Sequence, residues 1–451
     1  MDAGSDLLVA PIATVSRLLH HGELSPEDLL EAVLARQEVL EPELNAFTTV
    51  LADLARRQAR EAAAAIAAGQ GGPLAGIPVS VKDNFDIAGV PTLAGSRVLR
   101  GTEAAVDSAV HSRLRDAGAV VFGKTNMLEF AYGFVHPDHG QCNNPWDTGR
   151  TAGGSSSGSA SAVAAGIGYA SVGTDTGGSV RAPASFCGLV GMKPTCDSID
   201  RRGLVPLSAT LDHVGLLTRT VADNRLLLAV LTGRPVPAGP PPLCPVVGVI
   251  TELLDATPDA QVRDAFAKAV EVLGSTGARI REVSLPGITE LWRRGVEILG
   301  PEAAHAHRHW LPGREADYAP PTFANLMAGR AVPAVVYLDA LEARQEFGRR
   351  VDSVLGEADV LAAPTMPGGA TVQDPVLDLA GLDACVRTIP FNVSGHPALC
   401  LPAGSTLDGL PLGWQLIGPK GREDAVYAIA ERYETACGGF PTPSLDIAGR
   451  A

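Results

Sequence analysis

The chain has 451 residues, 46% hydrophobic and 19% charged, a balance that suits a large buried core and excludes a disordered chain. Lys and Arg total 36 against 50 Asp and Glu, and the resulting net charge of −14 disfavours nucleic acid or an anionic membrane as a partner. The seven cysteines form no CxxC pair, so neither a zinc ribbon nor a disulfide framework is indicated, and reduced thiols in a cytoplasmic protein are expected.

The first residues, MDAGSDLLVAPIATVSRLL, are acidic where a secretory leader is basic. No apolar run reaches the ~18 residues of a membrane span. Residues 5–70 read as helices. Ser25 offers an N-cap, Pro26 suits the first helical position, and Glu27 and Asp28 suit the first turn. Leu29, Leu30, Val33 and Leu34 then recur at helical spacing. Residues 55–70 form an alanine-rich helix stopped by Gly69, Gly71 and Gly72.

The texture then changes. Ile77–Lys82 reads as a short strand, and so does Ala119–Phe122 after the helical stretch HSRLRDAG. This alternation indicates an α/β protein with a largely parallel or mixed sheet. Residues 149–192 are rich in Gly, Ser and Ala, which would suit a flexible linker. Val163, Ile167, Tyr169, Val172 and Val190 within them favour buried, tightly packed backbone instead. Proline clusters at 235–245, the best linker candidate, after which a strand restarts at Val246–Ile250 and a helix covers 258–273. One domain over 1–451 is expected.

Three short patterns compete for the function. Gly118–Thr125 matches the phosphate-loop spelling G-x-x-x-x-G-K-[ST], but its middle residues, Ala-Val-Val-Phe, favour strand where that loop needs a turn. Gly154-Ser155-Ser156-Ser157-Gly158 matches the G-x-S-x-G nucleophile elbow, with Ser156 as the nucleophile and Asp374 and His396 as partners, although no strand signal precedes it. The third pattern is longer. It comprises Gly153–Ser159, then Gly173-Thr-Asp-Thr-Gly-Gly-Ser179-Val-Arg181, then Ala182–Gly188 and Gly191-Met-Lys-Pro194.

This third pattern resembles the amidase-signature family of serine hydrolases. The upstream Gly76–Asp86 is similar to the family's lysine-bearing strand, and Gly123–Ala131 to its next segment. The resemblance is dense over 72–223 and returns at Pro390–Gly395, with a divergent region over 246–440. One departure is Ser157, where many members have Gly. The resemblance implies a mixed central sheet covered by helices on both faces. It also implies a hydrolase of C–N acyl bonds in amides, anilides or carbamates, working through an acyl-enzyme. Ser179 would be the nucleophile, and Ser155, following a cis peptide bond, would pass protons between it and Lys82.

An ordinary lysine titrates near ~10.4, so Lys82 would need burial to act as a base. The competing expectation is an exposed strand-end lysine paired with Asp83. Backbone amides of Thr176, Gly177, Gly178 and Ser179 are candidates for an oxyanion hole. Asp175 and Arg181 are expected to support the loop. Tyr132 and Phe134 are pocket candidates or ordinary core residues. His305 and His309 have metal-pair spacing without other ligands, so a solvated helix face is expected there. No metal or organic cofactor is expected. The expected partners are a small amide-type substrate and, as an option, a second copy of the chain. The family also includes the amidase component of a tRNA-dependent amidotransferase, which acts inside a complex.

Overall fold

Ser25 Oγ accepts the Asp28 amide at 3.0 Å, and with Pro26 at the first position this cap starts the helix Pro26–Leu44. The computed structural model describes residues 7–237, 243–373 and 385–445. Helices Ile12–His20 and Ala52–Ala67 occupy the expected amino-terminal segment. That segment also contains a strand the helical reading did not anticipate, β1 (Phe47–Val50). Its Phe-Thr-Thr-Val sequence is rich in β-formers, and pairing with the sheet edge decides its conformation.

The remaining strands are β2 (Pro78–Lys82), β3 (Val120–Thr125), β4 (Asn143–Asn144), β5 (Asp147–Thr151), β6 (Ala170–Asp175), β7 (Val190–Lys193), β8 (His213–Thr218), β9 (Val246–Ile250), β10 (Arg279–Val283), β11 (Val360–Pro364), β12 (Ala398–Ser405) and β13 (Pro411–Ile417). β4 and β5 form a separate two-stranded ribbon. The other eleven make one mixed sheet in the order β1-β3-β2-β6-β8-β7-β12-β13-β11-β9-β10. β2 runs parallel to both β3 and β6, while β8 lies antiparallel to β6 and β7. Strands from before and after the proline-rich 235–245 therefore share one sheet, joined where β7 meets β12. Residues 238–242 of that stretch lie outside the described residues.

Helices cover both faces of this sheet. Along β11, Val360 and Ala362 belong to one buried cluster with Phe266 and Leu273 of the helix Ala260–Ser275. Leu361 and Ala363 belong to another, with Phe347 and Val351 of the helix Ala334–Leu355. Strand side chains alternate between faces, so both faces are buried.

The Gly/Ser/Ala-rich stretch is tightly packed. The helix Ser157–Ala164 is buried at every residue, with Ser157 as its first residue. A Cβ on Gly158 would lie 2.2 Å from the Ala46 carbonyl oxygen, so only glycine allows that approach. The phosphate-loop spelling falls in β3, which is buried throughout, Lys124 and Thr125 included. No helix among the described residues is long and apolar enough to cross a membrane.

Candidate active site

Parallel β2 and β6 finish together at one end of the sheet, β2 on Lys82 and β6 on Asp175. Carboxyl ends of parallel strands are where open α/β sheets collect their sites. Lys82 has no exposed surface. Its Nζ donates to Ser155 Oγ at 2.7 Å and to Thr174 Oγ1 at 2.8 Å. Burial drives its pKa down to about 7, against the opposing pull of Asp212 and then Asp175. The surface pairing with Asp83 does not form. Asp83 is buried and instead meets Lys124 Nζ at 2.8 Å.

Ser155 is 1% exposed and follows a cis peptide bond from Gly154. Its carbonyl accepts the Leu128 amide at 3.3 Å. Ser156 turns inward, its hydroxyl donating to the Thr174 carbonyl at 3.2 Å and accepting the Thr174 amide at 3.3 Å. The Ser156 amide donates to the Ser179 carbonyl at 3.1 Å, which ties the two serine segments together through backbone. Ser179 is half-buried.

The alternative of a nucleophile elbow around Ser156 is therefore not formed. The strand before it, β5, belongs to the ribbon and stops at Thr151, and the Ser156 hydroxyl is bound to backbone. His396 Nε2 pairs with Asp352 Oδ1 at 2.9 Å, and Asp374 lies outside the described residues.

The loop around Ser179 is organised by Asp175. Its carboxylate accepts the amides of Gly178 at 2.8 Å, Val180 at 3.2 Å and Arg181 at 3.3 Å. Arg181 adds Nε and Nη2, both at 3.0 Å, and Asn392 Nδ2 adds a bond at 2.8 Å. Burial pushes the Asp175 carboxyl up, but the Arg181 guanidinium and these bonds outweigh it and hold the group well below the usual carboxylate range. Arg181 also reaches Asn392 Oδ1 and Gln415 Oε1.

This arrangement divides the four candidate amides. Gly178 serves the loop itself, because its N–H is committed to Asp175. Among the described residues, the amides of Thr176, Gly177 and Ser179 donate to no other group. Gly178 has φ +129°, and a Cβ there would lie 2.3 Å from Thr388 Oγ1. Thr176 Oγ1 donates to Asp212 Oδ1 at 2.7 Å. Thr174, Asp212 and Asn392 were not singled out by sequence. Asp212 lies within the block 72–223 and Asn392 within Pro390–Gly395, the stretches over which the resemblance holds, and that was the only signal for them.

Tyr132 and Phe134 are both half-buried. Tyr132 packs against a cluster containing Phe130, Leu207 and Tyr318, and burial pushes its phenol up to about 12. Phe134 contributes its carbonyl, which accepts the Glu129 amide at 2.7 Å. The helix carrying His305 ends at Ala306, while His307 is buried against Phe130 at 4.3 Å with Nδ1 at 3.0 Å from Tyr318 OH. His305 and His309 are exposed, consistent with the solvated face expected for them.

Comparisons with known proteins converge on one family. A sequence model of the family described as Amidase matches residues 28–427. The chain is 36% identical over 479 residues to a glutamyl-tRNA(Gln) amidotransferase subunit from Cyanothece sp., covering 95% of this chain and 98% of that one. A solved amidase structure superposes with a TM-score of 0.88 at 35% identity, covering 94% of this chain and 99% of the other. A substrate complex of 6-aminohexanoate cyclic dimer hydrolase superposes with a TM-score of 0.85 at 28% identity, covering 98% of each.

Proposed function

We propose that this chain, which belongs to the amidase family, hydrolyses C–N acyl bonds of small amides, anilides or carbamates through an acyl-enzyme on Ser179. Ser155 and Lys82 move the protons. The observation that carries this reading is the 2.7 Å contact between Lys82 and Ser155, in a dry site where the lysine titrates near pH 7.

In this mechanism neutral Lys82 takes the Ser155 proton, Ser155 takes the Ser179 proton, and Ser179 Oγ attacks the carbonyl carbon. The negative oxygen that forms meets the amides of Gly177 and Ser179, with Thr176 beside them, since these have no other acceptor among the described residues. Protonated Lys82 then returns its proton through Ser155 to the leaving nitrogen, and the C–N bond breaks. A water gives its proton to the same relay, its oxygen attacks the ester, and the acid departs as Ser179 regains hydrogen. Asp175 and Arg181 act by shaping the loop, not by touching the reacting atoms.

The test is Ser179→Ala, Ser155→Ala and Lys82→Ala, assayed beside the native protein on primary amide, anilide, carbamate and urea substrates. Turnover lost in all three folded variants supports the reading. Full turnover in Ser179→Ala ends it.

A second reading has its own support in the 36% identity to an amidotransferase component over nearly the whole chain. The same serine chemistry would then work as the amidase part of a larger assembly. Co-purification with other subunits, together with glutaminase activity, distinguishes it from a stand-alone hydrolase.

A further inference from the structure

When Lys82 accepts a proton it becomes a cation with no exposed surface. A buried charge without a counter-charge is strongly disfavoured, so the site needs an anion that is not already neutralised. Two carboxylates act on Lys82, Asp212 and Asp175. Asp175 is spent on Arg181, which grips both its oxygens. Asp212 is not. It is 3% exposed, and its oxygens accept Thr176 Oγ1 at 2.7 Å and the Leu207 amide at 2.9 Å. Arg201 contacts its carbonyl but gives its salt bridge to Asp197. Among the described residues no cation lies within ion-pair distance of the Asp212 carboxylate.

The fold places Asp212 through strand register. Antiparallel pairing sets His213 of β8 opposite Asp175 of β6, which brings Asp212 beside Thr176. The loop before it is clamped from the divergent region by Glu302. That carboxylate accepts Ser208 Oγ at 2.5 Å, the Thr210 amide at 2.9 Å, Thr210 Oγ1 at 2.9 Å and Tyr337 OH at 2.9 Å.

We propose that Asp212 is the positioning counter-ion of the active site: it balances the charge on Lys82 after proton transfer, and through Thr176 it ties that balance to the loop bearing Ser179. This rests on the lysine relay proposed above. Lys82 Nζ bonds Thr174 Oγ1 at 2.8 Å and Asp212 bonds Thr176 Oγ1 at 2.7 Å, so the two charged groups flank the end of β6 on threonines two residues apart. The groups facing this pair from each packed element are Ser155 and Thr174 on Lys82, and Thr176, the Leu207 and Ser208 amides and Arg201 on Asp212. Asp175 is faced by Arg181, Asn392 and Lys193. Removing the Asp212 charge makes a proton on Lys82 less favourable, so the neutral base persists to lower pH.

The experiment follows covalent labelling of the full-length protein by a fluorophosphonate probe as a function of pH, since this reports the relay without a known substrate. Ser179→Ala is run first. Labelling that survives it overturns the relay reading itself, whereas its loss leaves Asp212 as the only matter in question. Asp212→Asn is expected to move the acidic limb of the labelling rate down by about one pH unit and to lower the plateau about tenfold. Asp212→Ser, which brings no amide donor against the Leu207 N–H, provides a second uncharged variant should the first fail to fold. Thr176→Val loosens the same loop but keeps both charges, and is expected to slow labelling without moving the limb. A folded Asp212 variant whose limb stays at the native pH overturns the proposal, as does a Thr176→Val limb that moves equally far.

Discussion

Arg181 holds Asp175 with two nitrogens, Nε to Oδ2 and Nη2 to Oδ1, each at 3.0 Å, and neither side chain is exposed. These residues sit six apart and bracket Ser179, so the ion pair fixes the loop that presents the serine. Replacing Arg181 by Met leaves a buried carboxylate unpaired. A loss of about 3–5 kcal/mol in urea unfolding is expected, with activity below detection. A stable, active Arg181→Met protein contradicts the role given to the pair.

The role proposed for Lys82 predicts a pH profile. Lys82 must be neutral to accept a proton and titrates near 7, so kcat/KM is expected to fall about tenfold per unit below pH 7. Stability should respond as well. The folded value lies below the ordinary ~10.4, so the unfolded chain binds more protons between the two values. The destabilising effect is absent above the ordinary value, grows as pH falls, and is complete below about 7. Urea midpoints of the native protein and Lys82→Met, compared from pH 7 to 10, should converge as pH rises. Parallel curves contradict a buried, depressed lysine.

Adjacent glycines in the loop should behave differently. Gly178→Ala places a Cβ 2.3 Å from Thr388 Oγ1 in a backbone at φ +129°. A cost of about 2 kcal/mol or more and loss of activity are expected. At Gly177 the nearest atoms to a Cβ are Ile389 carbons at 3.7 Å, an ordinary contact. Gly177→Ala should therefore stay within about 1 kcal/mol of native stability. Thermal unfolding of the two variants checks the contrast.

Tyr132 offers a test of the pocket. It is half-buried against the cluster of Phe130, Leu207 and Tyr318 on the segment whose Leu128 amide binds the Ser155 carbonyl. Tyr132→Ala is expected to raise KM for an anilide by roughly tenfold and for a small primary amide by much less. Equal changes for both substrates would assign Tyr132 to packing alone.

Much of the site was legible because its grammar is local. Asp175, Gly178 and Arg181 bond one another within seven residues, so the shape of this loop follows from a short stretch of backbone. Elsewhere the local signal misled or fell silent. Phe47–Val50 sits between two strong helices, and only pairing with β3 makes it a strand. Gly178 looked like an oxyanion donor, but its amide is taken by the carboxylate three residues before it. The sequence offered no sign that Asp83 would choose Lys124 over Lys82.

Residue order alone carries the family resemblance, the α/β class and the identity of the serine-bearing loop, because these are written in contiguous residue types and spacings. That Lys82 is fully buried emerges only on folding. Lys82 acquires its depressed titration from complete burial, and its partners Ser155 and Thr174 come from 73 and 92 residues away in the chain. The same holds for Asn392, which reaches Asp175 across 217 residues, and for Asp212, brought beside Thr176 by strand register. Desolvation and charge balance are properties of what surrounds a group in space, and a chain acquires those surroundings only when it folds.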